Sequence, residues 1–208
     1  MQPFILVPLR MNYLAHAYLS FNNTDVLLGN MISDFVKGKK QFDYPKQIQV
    51  GIQLHRAIDS FTDTHVATKN IKIKFKPAYG LYAGAFTDVV YDYFLANDKS
   101  IFADDTALKQ FTQHTYAQLL YNEQWFGEKF GKMYPFMKSH DWLYHYRMEE
   151  GIQKAFEGVR RRANYIRETE NAYSIFISHK QDMQQWYEIF FPEVKKFAAD
   201  TLASLLIT

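Results

Sequence analysis

Residues 51–65 read GIQLHRAIDSFTDTH, and this stretch carries the strongest structural signal in the chain. Its apolar residues recur at spacings of three and four, which is typical of an α-helix. His55 and Asp59 lie four residues apart, so the helix places them one turn apart on one face, about 6 Å along its axis. Asp63 continues that face. Because His and Asp are costly to bury alone, the pair indicates either a structural salt bridge or part of a metal site.

Acids and imidazoles recur in three further apolar segments that also read as helices. His16 lies in MNYLAHAYLS, Asp34 lies in GNMISDFVKG, and Asp88 and Asp92 lie in TDVVYDYFLA. The last two repeat the spacing of four residues. Each buried acid needs its own compensation, so the set as a whole favours several helices that converge on a divalent cation for hydrolysis.

The composition restricts the kinds of site that the chain can build. The chain has 208 residues, 48% of them hydrophobic and 17% aromatic, which fits one domain with an aromatic-rich core. Cysteine is absent, so disulfides and thiolate ligands are excluded, and any metal must take N and O ligands. This composition fits a reducing compartment, and we expect a cytoplasmic protein. No apolar run approaches the about 20 residues of a membrane span, so we expect no membrane partner.

The net charge of +2 does not by itself predict a nucleic-acid partner, and we expect none. Basic residues nevertheless form three local clusters: Lys37, Lys39 and Lys40; Lys69, Lys72, Lys74 and Lys76; and Arg160, Arg161, Arg162 and Arg167. Such clusters are either solvated helix faces or docking sites for an acidic partner or a phosphate, and the sequence favours neither. An arginine fork suits phosphate and carboxylate alike.

The sequence predicts an all-α chain that forms a single domain over residues 11–208, because strand-like alternation is scarce. We expect residues 1–10 to be a dispensable N-terminal extension. The predicted helices are Met11–Phe21, a second one that runs to Gly38, a third from Pro45 to about Thr62–Thr64, a basic helix up to Pro77, Ala78–Asn97, one from Asp104 through Tyr121, one or two short helices within Glu123–His145, Met148–Ala163, Tyr165–Lys180 and Met183–Leu206.

Common catalytic motifs are absent from the sequence. It contains no G-x-x-x-x-G-K-[ST] loop, no G-x-G-x-x-G after a strand, no H-E-x-x-H and no G-x-S-x-G. These absences exclude the usual P-loop, dinucleotide-binding, zincin and α/β-hydrolase sites.

The four quoted segments resemble, in order and spacing, the bacterial acyl-carrier-protein phosphodiesterase family. The resemblance is strongest over Met11–Asn97 and continues to about Phe197, and HRAIDSFTD is its most specific part. It implies hydrolysis of the phosphodiester between 4′-phosphopantetheine and a serine of acyl carrier protein, with Mn²⁺ or Mg²⁺ as cofactor and the carrier protein as partner. It also implies an HD-domain-like helix bundle, because the family is distantly related to the HD-domain phosphohydrolases.

The resemblance also implies a set of site residues. The implied metal ligands are His16, Asp34, His55, Asp59, Asp88 and Asp92, and those implied in catalysis are Asp34, His55 and Asp59. Independently of the resemblance, the candidate phosphate- or partner-binding residues are Asn30, Arg56, Arg160, Arg161 and Arg162. Asn30 could orient a phosphate or a ligand carboxylate, or could simply bond to the backbone. Two departures stand out: Arg56 follows His55 where HD domains have Asp, and Tyr93 follows Asp92 where relatives often have His.

Two other functions remain open at this point. One is an HD-like phosphohydrolase that acts on a nucleotide or another small phosphoester. The other is a helical module that binds a carrier protein without catalysis. Unused buried acids cost stability, and this argues modestly against the second alternative.

Overall fold

Ten α-helices and four short 3-10 turns make up the computed structural model, which describes residues 13–163 and 165–207. The helices are α1 Tyr13–Tyr18, α2 Thr24–Ile32, α3 Lys46–Thr64, α4 Val66–Tyr79, α5 Ala83–Ala96, α6 Asp105–Leu120, α7 Glu128–Ser139, α8 Trp142–His145, α9 Glu149–Arg162 and α10 Glu170–Ile207. No strand occurs in these ranges, so the all-α prediction is confirmed. The predicted extension at residues 1–10 lies outside the described residues.

Several helix ends follow directly from local sequence signals. Asn23 caps α2 by accepting a hydrogen bond from the Val26 amide at 3.1 Å, and Asp104 caps α6 through the Ala107 amide at 2.8 Å. Both side chains satisfy amides of the first turn, which have no partner inside the helix. Helix α3 begins directly after Pro45 and ends at Thr64, as the sequence predicts.

The predicted helix up to Gly38 is wrong in its second half. Helix α2 ends at Ile32, and two 3-10 turns follow, Ser33–Phe35 and Gly38–Asp43. The Ser33 hydroxyl donates to the carbonyl of Ile52 on α3, which ties the end of α2 to its neighbour. Gly38 has φ +55°, a left-handed conformation that glycine adopts without strain and that turns the chain away.

Two other predicted boundaries also differ. The predicted helix Ala78–Asn97 is interrupted at Gly80, whose φ of +53° ends α4 and separates it from α5. The predicted break between Lys180 and Met183 does not occur, and α10 runs unbroken for 38 residues. Residues 181 and 182 are exposed Gln and Asp, which an α-helix accommodates on its solvent face.

Helix α5 forms the centre of the fold. Every one of its residues except Gly84 is buried, and α1, α4, α9 and α10 pack around it. A helix that is buried on nearly all sides is stable only in such an interior position. Among the described residues, no helix combines the length and the apolar character that are needed to cross a bilayer.

Helices α2 and α3 are in direct backbone contact through two glycines. A Cβ on Gly29 would lie 2.0 Å from the Ile48 carbonyl oxygen, and one on Gly51 would lie 2.2 Å from the Val26 carbonyl oxygen. Any larger residue at either position would therefore separate the helices. This contact places the C-terminal part of α2 against the middle of α3, where His55 lies.

Candidate functional site

Two histidines and one aspartate from separate helices converge at one end of the α2–α3 contact. His16 lies on α1, and His55 and Asp59 lie on α3. One carboxylate oxygen of Asp59 is 3.4 Å from Nε2 of His16, and the other is 3.3 Å from Nε2 of His55. The two imidazole rings stack with centroids 4.0 Å apart. One ligand atom from each of the three residues lies within 4.8 Å of the other two.

Asn30 on α2 fixes the orientation of both rings. Its side-chain amide donates to the His16 carbonyl and to the Ser20 hydroxyl, so its Oδ1 is an acceptor, 2.7 Å from Nδ1 of His16. The Asn30 carbonyl oxygen is 2.7 Å from Nδ1 of His55. Because both contacted oxygens accept, each Nδ1 carries the proton, and each neutral ring directs the lone pair of Nε2 towards Asp59.

This arrangement fits a divalent cation. Both Nε2 atoms are buried and have no hydrogen-bond partner, and lone pairs that face a carboxylate repel it unless a cation lies between them. Ligand atoms that are each about 2.1 Å from one ion are roughly 3.0–3.4 Å apart in octahedral or tetrahedral coordination. The N–O distances of 3.3 and 3.4 Å around Asp59 agree with that spacing.

The charged groups of this cluster shift one another's pKa values in a direction that favours a positive charge at the site. Burial opposes the charged form of His55, but the neighbouring carboxylates of Asp34 and Asp59 outweigh it and raise the pKa of this histidine to about 9. Burial and the neighbouring His55 lower the pKa of His16. Despite its own burial, Asp59 has a pKa well below its usual range because both histidines lie beside its carboxylate. The carboxylates therefore favour a positive charge at the place where a metal ion fits.

Asp34 extends the cluster towards solvent. It lies in the 3-10 turn Ser33–Phe35, and its Oδ1 is 3.5 Å from Nε2 of His55. The side chains of Asp34 and Asp59 are 16% and 14% exposed, whereas those of His16 and His55 are 2% and 6% exposed. The carboxylates thus form the accessible side of the site and the imidazoles its floor. The early end of α2 brings Asp34 into this position.

Asp92 contacts the backbone that begins α1. Asp92 is fully buried and accepts hydrogen bonds from the amides of Leu14 and Ala15, at 3.1 and 2.8 Å. Burial raises its pKa well above the usual value, although the two amides oppose this. It thereby fixes the first turn of α1, which carries His16. Asp88 is also buried, one turn earlier on α5, and is not among the three residues of the tight cluster.

The predicted phosphate- or partner-binding residues lie in different places. The Arg56 guanidinium donates to the Val36 carbonyl and the Gln41 side chain, and that of Arg160 donates to Glu157. The side chain of Arg161 is exposed. Asn30 is fully buried and its amide contacts protein groups, so it orients His16 from inside the fold.

Arg162 is the arginine that reaches the site. It ends α9, its Nε donates to the Gly158 carbonyl at 3.0 Å, and its guanidinium interacts with the Tyr13 hydroxyl. Burial raises the pKa of Tyr13, and the positive charge of Arg162 opposes this rise. Asp34 acts on both residues. A guanidinium is therefore placed beside Tyr13, one turn before His16 on α1.

Two tyrosines near the site were not predicted from the sequence. Tyr13 lies one turn before His16 on α1, and Tyr146 follows α8; both are buried. Burial is the main cause that raises the pKa of Tyr146, and Tyr13 and Arg162 are among the neighbours that act on it. The spacing of three between Tyr13 and His16 in MNYLAHAYLS was a usable signal for the first of them, because it places both on one helix face.

Asn30→Ala is expected to lower Mn²⁺ affinity and any metal-dependent activity by roughly 10–100-fold, because His16 loses the acceptor that fixes its tautomer. Isothermal titration with Mn²⁺ measures the affinity. Ser20→Ala is the matched control, since it removes a second contact of the same amide but leaves Oδ1 facing His16. Equal Mn²⁺ affinity in Asn30→Ala and the parent would contradict the orienting role.

Mn²⁺ is expected to raise the thermal unfolding midpoint, and excess chelator to reverse this rise. At a free concentration of about 100 times the dissociation constant, binding adds about 2.7 kcal/mol, or about 5–10 °C for a domain of this size. The rise should be larger at pH 8 than at pH 6, because protons compete for the imidazole nitrogens. Differential scanning fluorimetry measures it, and an unchanged midpoint at millimolar Mn²⁺ would contradict the metal site.

Comparison with known proteins identifies the family of this chain. A family model described as acyl carrier protein phosphodiesterase matches residues 11–194. A protein of that name from Yersinia pestis is 29% identical over 188 residues, which cover 90% of this chain and 97% of the relative. Relatives of the same name from Klebsiella pneumoniae and Photorhabdus laumondii are each 28% identical, over 90% and 88% of this chain and 97% and 92% of their own lengths. No solved structure matches the chain.

Proposed function

Since this chain belongs to the acyl carrier protein phosphodiesterase family, we propose that it hydrolyses the phosphodiester that joins 4′-phosphopantetheine to a serine of holo acyl carrier protein, releasing the apo carrier. The observation that carries this proposal is the convergence of two oriented imidazole nitrogens on the carboxylates of Asp59 and Asp34. A fold that only binds a partner has no use for such a costly buried cluster.

We propose that His16, His55, Asp59 and Asp34 hold a divalent cation, Mn²⁺ or Mg²⁺. The donor atoms are nitrogen and oxygen only, and the carboxylates at the open side suit these hard cations. When bound, such a cation neutralises charge that develops on the phosphate and lowers the pKa of water at the site.

The remaining residues of the site have separable tasks. Asn30 holds both rings in one tautomer, and Asp92 fixes the turn that carries His16. Asp34 lies at the accessible side of the site, and we assign it the task of taking the proton of the attacking water. Arg162 lies beside Tyr13 and is assigned to the non-bridging oxygens of the phosphodiester, which an arginine fork matches.

Hydrolysis consumes one water. Water adds to phosphorus and gives up a proton to Asp34, and the bond between phosphorus and the serine oxygen breaks. The phosphate leaves with pantetheine, the serine oxygen takes a proton from solvent, and Asp34 releases its proton to solvent. The cluster orients the nucleophile and the electrophile with respect to each other, which is the main contribution that a protein makes to phosphoryl transfer.

The deciding experiment is a mass measurement on holo acyl carrier protein incubated with the purified protein and Mn²⁺, with and without chelator. We expect loss of the phosphopantetheine mass only when metal is present. If the carrier stays intact but Mn²⁺ raises the unfolding midpoint, the substrate of this site would instead be a small phosphoester. An intact carrier and no response to metal would indicate a module that binds without catalysis.

A further inference from the structure

A short basic segment borders the site and is not used by the fold. We call residues Lys37–Phe42 the basic turn; most of it lies in the 3-10 turn Gly38–Asp43. Lys37, Lys39 and Lys40 are all exposed, and the ring of Phe42 is 62% exposed. By contrast, Phe35, just before the basic turn, packs against Phe130. The basic turn therefore presents three cations and one aromatic ring to solvent.

The three lysines have no counter-charge within the parts of the chain that the structure describes. None of them lies within 4.0 Å of a carboxylate there, whereas Lys72, Lys74 and Lys180 pair with Asp63, Asp182 and Glu149. Three cations within four consecutive positions raise the local positive potential and repel one another through space. The fold thus gains nothing from this cluster, and an anionic partner surface would relieve the repulsion.

The basic turn is nevertheless held firmly in place. Arg56 on α3 donates to the Val36 carbonyl at 3.1 Å and to Gln41 at 2.7 Å. Gln49 donates to the Tyr44 carbonyl at 2.7 Å, just beyond the turn. A surface that is ordered before binding loses less entropy when a partner docks. Arg56 also directly follows the metal-site residue His55, so the same stretch of α3 fixes both the site and the turn.

The scissile bond limits where a docking surface can lie. In the proposed substrate the phosphate is attached directly to a serine side chain, so the surface of the carrier protein must come within a few ångströms of the site. Lys37 follows the site residue Asp34 by three positions, which is at most about 11 Å of chain. The basic turn is therefore close enough to touch a protein whose serine lies at the site.

We propose that the basic turn is the docking surface for an acidic face of the carrier protein, with the lysines contacting its carboxylates and Phe42 packing on an apolar residue between them. This inference rests on the proposed function and adds to it the place and the chemistry of partner recognition. Charge complementarity supports a protein partner, because it steers association and fixes register. A membrane surface is less suitable, since stable membrane binding needs a broad apolar face and the turn offers one ring.

The test compares two variants of the full-length protein that each lose three positive charges, one within the basic turn and the other at scattered surface positions. One variant combines Lys37→Gln, Lys39→Gln and Lys40→Gln. The control combines Lys99→Gln, Lys138→Gln and Lys154→Gln, three exposed lysines on separate parts of the fold. Affinity for holo acyl carrier protein is measured with chelator present, so that binding is observed without turnover. Hydrolysis of bis(p-nitrophenyl) phosphate with Mn²⁺ reports whether the site itself is intact.

The clustered variant is expected to bind holo carrier protein about tenfold more weakly at low salt, with a shallower salt dependence, while the control binds like the parent. Hydrolysis of the small phosphodiester should stay within about twofold of the parent in both. Phe42→Ser should weaken carrier binding without changing its salt dependence, because it removes a contact but no charge.

Two results would overturn this inference. One is equal carrier affinity in the clustered and control variants. The other concerns vesicles of phosphatidylglycerol and phosphatidylethanolamine: the parent binds them and the clustered variant does not, while both bind the carrier protein equally well. The proposed function fails separately, when the parent binds holo carrier protein but leaves its phosphopantetheine mass intact with Mn²⁺.

Discussion

Asp59→Asn is expected to abolish metal-dependent hydrolysis while the protein remains folded. The substitution preserves shape but removes the charge that faces both Nε2 atoms at 3.3 and 3.4 Å. An amide also presents one NH₂ group to those nitrogens, which blocks the position that the cation would take. Loss of about 4 kcal/mol of transition-state stabilisation, the scale of a metal contribution, corresponds to a rate decrease of roughly 10³-fold.

The measurement is kcat/KM for holo carrier protein with Mn²⁺, together with circular dichroism of the helices. Asp63→Asn is the matched control, because Asp63 lies one turn further along α3 and its side chain is 43% exposed, beside Lys72. A surface pair of this kind contributes little, so this control should retain activity within about twofold. Near-normal turnover of Asp59→Asn would show that the cluster is not the reaction site.

The central part of the site could be predicted from the sequence because helix periodicity is a local property. The spacing of four between His55 and Asp59 requires both to share one face of α3, and the structure brings His16 to the same place. Asp88 and Asp92 have the same spacing, yet Asp92 instead binds the amides that begin α1. Spacing identifies a shared face, but which neighbour that face meets depends on tertiary packing.

The sequence could not predict the role of Asn30 or the position of Arg162, because both depend on tertiary packing. The sequence left open whether Asn30 contacts a ligand or the backbone, and the answer depends on a side chain 14 positions away on another helix. The three consecutive arginines at the end of α9 look alike in the sequence. They point in different directions around the helix, so Arg160 meets Glu157 whereas Arg162 meets Tyr13.

Helix type was predictable throughout, but helix ends were predictable only where a capping residue marks them. Asn23, Pro45 and Asp104 mark their helices correctly. Gly80 was overlooked because one glycine within an apolar stretch does not reveal whether its φ is positive. The break predicted near Lys180 failed because polar residues on an exposed face do not end a helix.

Gly51→Ala is expected to destabilise this protein strongly, although it adds only one methyl group. The new Cβ would lie 2.2 Å from the Val26 carbonyl oxygen and 2.9 Å from the Cα of Gly29, so backbone, not a flexible side chain, would have to move. Overpacking against movable side chains already costs about 1–3 kcal/mol, and we expect about 3 kcal/mol or more here. Urea unfolding followed by circular dichroism measures this change in the free energy of unfolding.

Gly84→Ala is the matched control for Gly51→Ala, because it adds the same methyl group to a helix but meets only the Lys72 side chain at 3.7 Å. Alanine has the higher helix propensity, so this control should be stabilised by up to about 1 kcal/mol. Equal stabilities of the two variants would show that α2 and α3 are not in backbone contact. Separation of these helices would also move the Asn30 carbonyl away from His55, so Gly51→Ala should weaken Mn²⁺ binding even where the protein remains folded. The glycine contact would then be a requirement of the metal site as well as of the core.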